Sequence, residues 1–325
     1  MKQSYFLAYL LLPACALLGA TLLLMLPALP RVEAVVPSPP VNVTPTRSLP
    51  TPTDTPAPTP PPPSPTPPPT AMPTPLPPTA RPLFREEVPT PTPRPLPDAA
   101  DVPILMYHYV EELPPNADSL RRGLTVTPDR FEAQLQYLAE AGYHTITLVD
   151  LHRYLFEGIP LPEKPIILTF DDGYRDAYTI VFPLLQQYGF VGTFFVLATP
   201  AHFENPNYLT WDMMAEMAAA GMEIEGHGRD HVDLRNRSYD YLVYQILGIK
   251  EAVEYHTGQP VRFFCYPSGQ YDAAVLRVVE GAGYWGAVTT QHGRIHTREN
   301  IYTLSRIRIR GSDTLEDFIA RLENP

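Results

Sequence analysis

The sequence predicts an α/β fold, a barrel of seven or eight parallel strands, over residues 101–325. Three observations carry that prediction. Short apolar runs alternate with segments of helical period from Val102 to Leu322, the signature of a parallel sheet joined by crossover helices. Most of the chain's 42 prolines lie outside that region, between Arg31 and Ala100, so the alternating part is a separate folding unit. The polar residues that interrupt the apolar pattern all follow strands, and in a parallel barrel those ends share one face. An open doubly wound sheet is the alternative, because strand count alone does not close a barrel.

Taken in order, Val102–Tyr107 reads as a buried strand with His108 at its C-terminal end. Thr127-Pro128-Asp129 starts a helix, as cap, first-position proline and first-turn acid. Phe131, Leu135 and Leu138 form its apolar face, and Gly142 stops it. Tyr143–Leu148 is the next strand, followed by a short helix to about Phe156. Ile166–Phe170 is a strand that delivers Asp171 and Asp172 onto Gly173. A helix over Ala177–Tyr188 ends at Gly189, and Gly192–Leu197 is a strand. Thr210 caps a helix over Trp211–Ala220, and Met222–Glu225 leads as a strand into Gly226-His227-Gly228-Arg229-Asp230-His231. Tyr239, Leu242, Ile246, Ile249 and Val253 stripe a long helix. Val261–Cys265 is a strand entering Tyr266-Pro267-Ser268-Gly269. A helix near Asp272–Glu280, strands near Trp285–Thr289 and Leu304–Ile309, and a helix over Thr314–Leu322 complete the domain.

Ahead of the domain, Tyr5–Pro30 is almost wholly apolar, long enough to span a bilayer as an uncleaved anchor in residues 1–30. A cleaved signal and a lipid-modified Cys15 are the alternatives. Residues 31–100, rich in Pro and Thr, cannot bury enough apolar surface to fold and read as an extended, disordered linker. Together they place the domain outside the cell on a membrane anchor. The net charge of −11 excludes a nucleic-acid partner, which calls for a basic surface. The first turns contain neither a Gly-x-Gly-x-x-Gly nor a phosphate-loop lysine, which weighs against nucleotide binding. Of the two cysteines, Cys15 lies in the apolar segment, and Cys265 reads as a small core residue.

Two adjacent carboxylates repel, so Asp171 and Asp172 call for a cation or a shared proton. His227 and His231 have the spacing of paired imidazole ligands, suited to Zn²⁺, with Co²⁺ or Ni²⁺ as alternatives. One carboxylate can then bind the ion while the other takes a proton from water. A strand-ending Asp-Gly turn without chemistry is the plain alternative.

At this point the residues resemble a known family. Thr169-Phe170-Asp171-Asp172-Gly173-Tyr174, His227-Gly228-Arg229-Asp230-His231 and Phe264-Cys265-Tyr266-Pro267-Ser268-Gly269 are similar, in order, to three motifs of the polysaccharide deacetylases, the NodB-homology carbohydrate esterases. Pro103-Ile104-Leu105-Met106-Tyr107-His108 resembles the opening strand of an extracellular branch, and Gly192–Val196 fits as well. The resemblance implies a distorted (β/α) barrel that removes acetyl groups from N-acetylglucosamine-containing polysaccharide, such as peptidoglycan or an exopolysaccharide. It implies Asp171 as general base, with Asp172, His227 and His231 as ligands of a divalent metal. The backbone N–H of Tyr266 is the candidate oxyanion donor. Tyr174 and Pro267, from the motifs, are groove candidates. Arg262 lies near where the family places an arginine that orients the base. Trp285 is expected either to stack on a sugar or to belong to the core.

Two departures from the family pattern stand out. Gly228 occupies a position where the family carries Ser or Thr, which removes support from the loop. No histidine occurs in Tyr302–Ile307, where the family's late histidine protonates the leaving amine. His108, then His292 and His296, are the candidates for that acid. Without it, a glycan-binding module of low or no turnover is an alternative on the same fold, as is a metal hydrolase of non-sugar amides. His144, His152, His202 and His256 are expected to be solvated.

Overall fold

β-branched and aromatic runs in this chain pair into one parallel sheet, and the intervening amphipathic segments cover it. The computed structural model describes residues 95–323. The expected anchor, and the linker as far as residue 94, lie outside the described residues. Among the described residues no helix is long and apolar enough to cross a membrane.

Eight strands form the sheet: β1 (Ile104–Tyr107), β2 (His144–Thr145), β3 (Pro165–Phe170), β4 (Thr193–Val196), β5 (Glu223–Gly226), β6 (Phe263–Cys265), β7 (Gly286–Val288) and β8 (Ile307–Arg308). Their order is β7-β6-β5-β4-β3-β1-β8, with β2 paired to the first residues of β3, and every pairing is parallel. The sheet curls. Its two edges are linked where Val288 of β7 bridges Leu304, three residues before β8 pairs with β1. All strands point their C-terminal ends to one rim.

The principal covering helices are α1 (Pro128–Glu140), α2 (Leu148–Glu157), α3 (Phe182–Tyr188), α4 (Trp211–Ala219), α5 (Tyr239–Thr257), α6 (Ala273–Gly281) and α7 (Leu315–Glu323). Strand alternation splits the core in two. Leu105, Leu168, Phe194, Ile224 and Phe264 pack against helix residues such as Leu135, Leu185, Ile246 and Val275. Ile104, Ile167, Phe195, Phe263 and Val288 meet on the opposite face, together with Leu151 and Leu155 of α2.

Two acids of β5 are buried but satisfied. Glu223 accepts hydrogen bonds from the N–H groups of Leu148 and Val149 at the start of α2 and from the Thr193 hydroxyl. Glu225 accepts from the N–H groups of Arg262 and Phe263. A buried polar group without such partners would carry a desolvation cost of about 1–3 kcal/mol.

The expected elements are present with shorter strands. Tyr143–Leu148 yields only β2, because Thr147 caps α2 in a reciprocal box with Asp150 and turns Leu148 into helix. The segment over Ala177–Tyr188 opens with a π-helical stretch, Ala177–Val181, before α3. Two short helices, Ser119–Leu124, capped by Asp118, and Ala198–His202, which has no side-chain cap, are additions to the expected elements.

Candidate active site

The site stands on the C-terminal rim, where β3 ends in the two acids. Asp172 has φ +72° and Gly173 φ +71°, the left-handed region that a non-glycine residue enters at a cost of order 1–3 kcal/mol. A Cβ on Gly173 would lie 3.2 Å from the backbone of Val196 in β4, so the turn requires glycine there. This reversal lets both carboxylates reach one groove of about 1160 Å³, also lined by His108, Tyr174, His227, His231, Tyr266 and Ser268.

Asp171 is buried. Its Oδ1 accepts from one guanidinium nitrogen of Arg306 at 2.7 Å and its Oδ2 from the other at 2.8 Å. Arg306 is itself 1% exposed and also donates to the Thr289 carbonyl and the Thr169 hydroxyl. Burial alone would push the Asp171 carboxyl up, but the Arg306 guanidinium holds it well below the usual carboxylate range. Cys265 Sγ is 3.6 Å from Asp171 Oδ2 and 3.4 Å from Arg306. That thiol therefore touches Asp171 as well as the core.

Asp172 meets imidazoles. Its Oδ1 lies 3.2 Å from His227 Nε2 and 3.5 Å from His231 Nε2, and the three ligand atoms fall within 4.8 Å of one another. His227 Nδ1 is 2.7 Å from the Cys265 carbonyl, which can only accept, so that nitrogen carries the proton. In neutral His227 the Nε2 lone pair then points at the carboxylate. Two acceptors at that distance repel unless a cation lies between them, and Asp172 Oδ1 is a buried oxygen with no hydrogen-bond partner. Burial disfavours a charged His227, yet Cys265 and Asp172 raise its pKa well above the imidazole value, so without a cation the imidazole takes up a proton against Asp172, a place a divalent ion would fill instead. One carboxylate oxygen and two imidazole nitrogens, one of them oriented from behind, form a donor set that fits a divalent metal with open positions.

The loop that carries the histidines is supported from α5. Gln245, fully buried, accepts from the N–H groups of Arg229 (2.9 Å) and Asp230 (3.0 Å), and donates to Asp230 Oδ2 at 2.8 Å. Gly228 has φ +93°, and a Cβ there would sit 3.1 Å from the Asp230 carbonyl. The loop thus replaces a hydroxyl side chain at that position with a glycine turn pinned by Gln245.

His108 ends β1 with Nε2 3.9 Å from Asp171 Oδ2 and with Nδ1 buried and unpartnered. Burial lowers its pKa more than Asp171 and Asp172 raise it, so it rests neutral. Tyr174 belongs to an aromatic wall, stacked on Tyr109 at 3.8 Å and beside Tyr208 at 5.0 Å.

Several sequence expectations need correction. The Tyr266 side chain borders the groove, but its N–H donates to the Val288 carbonyl at 3.3 Å within the sheet, so that donor is already committed. Pro267 is buried, and Ser268, with φ +54°, faces the groove in its place. Arg262 and Trp285 precede β6 and β7, so they lie at the N-terminal ends of parallel strands, opposite the site. There Arg262 covers the Trp285 ring at 3.7 Å, and His152, half-buried, packs on it at 4.6 Å. The arginine that holds Asp171 is Arg306, six residues beyond Asn300 in the segment where the expected histidine is missing. His296 is fully buried against the Val102 carbonyl and His292 is exposed, and neither lines the groove.

A curled parallel α/β sheet bearing a carboxylate–imidazole donor set beside an arginine-held aspartate defines a hydrolase-type centre. The sequence pattern of the family described as Polysaccharide deacetylase matches residues 158–287. The chain is 32% identical over 210 residues to the protein YxkH of Bacillus subtilis (strain 168), covering 65% of this chain and 72% of that one. It is 34% identical over 140 residues to the peptidoglycan-N-acetylglucosamine deacetylase of Bacillus cereus, covering 43% and 62%. Its fold is similar to that of the Streptococcus pyogenes deacetylase PplD in complex with acetate, with a TM-score of 0.64 and 30% identity over 69% of this chain and 98% of that one. The chain belongs to the polysaccharide deacetylases, hydrolases of carbohydrate esterase family 4.

Proposed function

We propose that this chain removes acetyl groups from N-acetylglucosamine-containing polysaccharide with the help of a divalent metal held by Asp172, His227 and His231. The observation that carries the reading is the buried, unpartnered Asp172 Oδ1 facing two imidazole nitrogens, next to an Asp171 locked by Arg306. The B. cereus relative's name supports an acetylated amino sugar as substrate.

When bound, a divalent ion supplies a Lewis acid that polarises the acetyl carbonyl and lowers the pKa of water. Asp171 takes the proton from the attacking water. Held low by Arg306, it is a weak base by itself, and a bound divalent ion would supply the acidity that makes this transfer favourable. Arg306 fixes both carboxylate oxygens, so Asp171 cannot rotate onto the metal ligands. His108, neutral at rest, lines the groove beside Asp171 with Nε2 3.9 Å from Oδ2, where it takes up the proton that Asp171 removed from water and passes it to the departing nitrogen. The aromatic wall of Tyr109, Tyr174 and Tyr208 flanks the sugar. The sequence supports a site of action outside the cell, with residues 1–30 as anchor and the Pro/Thr-rich segment as spacer.

The test is acetate release from N-acetylglucosamine oligomers, with metal content measured on the same samples. Wild type is expected to release acetate, lose the activity with a chelator and regain it with Zn²⁺ or Co²⁺. Asp172→Ala and His227→Ala are expected to lose both metal and activity. Full activity in metal-free Asp172→Ala would overturn the assignment.

A further inference from the structure

Three arginines line the groove: Arg121, Arg175 and Arg308. Arg121 is committed to an ion pair with Glu111 and lies over the Tyr109 ring at 3.1 Å. Arg175 donates to the Pro206 carbonyl at 3.1 Å and to the Met213 sulfur. Arg308 is half-buried and has no hydrogen-bond or ion-pair partner among the described residues. It is the last residue of β8, in register with Met106 of β1, and its charge, with that of Arg306, opposes protonation of His108.

Strand alternation explains where it points. Arg306 and Arg308 are two residues apart, so both project from the same face of the β8 segment. Arg306 turns down onto Asp171, and Arg308 stands one step nearer the mouth. The charges at the reacting end are therefore unequal. Asp171 is cancelled by Arg306 and Glu111 by Arg121, while Asp118 and Asp176 are engaged by the N–H groups of Arg121 and Val110 and make no contact with Arg308. A divalent ion more than offsets Asp172. Arg308 adds a positive charge that nothing among the described residues meets.

We propose that Arg308 is a specificity residue that receives a carboxylate carried by the substrate, on the target sugar or on its neighbour. This rests on the deacetylase reading and goes beyond it: the preferred polymer is anionic, not a neutral N-acetylglucosamine chain. A guanidinium in a partly desolvated groove binds a carboxylate through paired, charge-assisted hydrogen bonds, a geometry that a neutral hydroxyl does not reproduce.

The experiment uses the full chain, loaded with Zn²⁺, and three oligosaccharides of equal length. One is neutral N-acetylglucosamine oligomer; one alternates N-acetylglucosamine with N-acetylmuramic acid, whose carboxylate is a lactyl ether; one alternates N-acetylglucosamine with a uronic acid. The ratio of kcat/KM on each anionic oligomer to that on the neutral one is measured for wild type, Arg308→Met, Arg308→Lys and Arg308→Glu. Wild type is expected to favour one anionic oligomer, and which one identifies the source of the carboxylate. Arg308→Met is expected to lower that ratio about tenfold to a hundredfold, chiefly through KM. Arg308→Lys should recover part of it, and Arg308→Glu should invert the preference. Equal ratios in wild type and Arg308→Met overturn the proposal, as does an equal loss of kcat on all three oligomers, which would make Arg308 part of the chemistry. Calorimetric binding of the same oligomers needs no turnover. A binding preference that vanishes in Arg308→Met sustains the proposal even if no acetate is released, an outcome that would sink only the deacetylase reading.

Discussion

Asp171 and Asp172 are adjacent in sequence, and their surroundings divide them. Arg306 grips one with both nitrogens; two imidazoles face the other. Removing Arg306 would leave a buried, uncompensated carboxylate. Arg306→Met is expected to cost about 3–5 kcal/mol and to lower kcat/KM by about a hundredfold. The double variant with Asp171→Asn should regain most of the stability in urea unfolding without regaining activity. At this scale the sequence was legible where residue types are unusual. Paired carboxylates after an apolar strand, and a histidine between glycines with a second one four residues on, are visible without a structure. Arg306 was not, because a lone arginine in Ser305-Arg306-Ile307 looks like any exposed strand residue. Only the alternation set by the pairing of Ile307 with Leu105 turns it inward. Arg262 was chosen instead for its nearness to a motif, and it belongs to the other end of the sheet.

Elements determine whether those residues stay in place. Gln245 lies in the apolar stripe of α5, between Leu242 and Ile246, where a polar residue has a reason to be. Gln245→Ala is expected to leave the Arg229 and Asp230 N–H groups unpaired and to weaken metal binding about 10–100-fold, although it touches no ligand. A metal-competition titration reads this directly. At the domain's entry, Ala100–Asp101 pairs antiparallel with Ile295–His296. Burial pushes His296 down to about 4, with only partial relief from its bond to the Val102 carbonyl. The unfolded imidazole titrates near 6.5, so between those values the unfolded chain binds the extra proton. Stability should therefore be full above about pH 6.5 and fall by roughly 3 kcal/mol as the pH drops to about 4. His296→Gln should flatten that slope in urea midpoints compared at pH 7 and pH 4.5. Element order was readable from caps, stops and periodicity. The shortness of the strands was not, because a curled sheet pairs only two to six residues of each apolar run.

At the scale of the whole molecule, the described domain carries its own core, its own rim and a complete candidate site. The Pro/Thr-rich composition ahead of it is expected to supply a different property, reach. Removing residues 37–94 is therefore expected to leave kcat/KM on a soluble oligomer within about twofold while lowering turnover of insoluble cell wall. Equal losses on both substrates would show that the Pro-rich segment shapes the domain itself. The sequence separated these parts through composition, since proline and threonine cannot form a core whereas valine, isoleucine and phenylalanine can. It did not determine how the sheet ends, which depends on the meeting of β7 with the segment before β8.

That meeting point has a kinetic meaning. Leu304 exchanges hydrogen bonds with Ala287 and Thr289, and the same short segment then presents Arg306 to the base. This narrow seam is expected to be the first to part, and it carries the arginine that grips Asp171. Heating should extinguish turnover several degrees before circular dichroism reports melting. Amide protons of residues 304–308 should exchange ahead of those in β3, the enzyme ageing from its seam while its core is still folded.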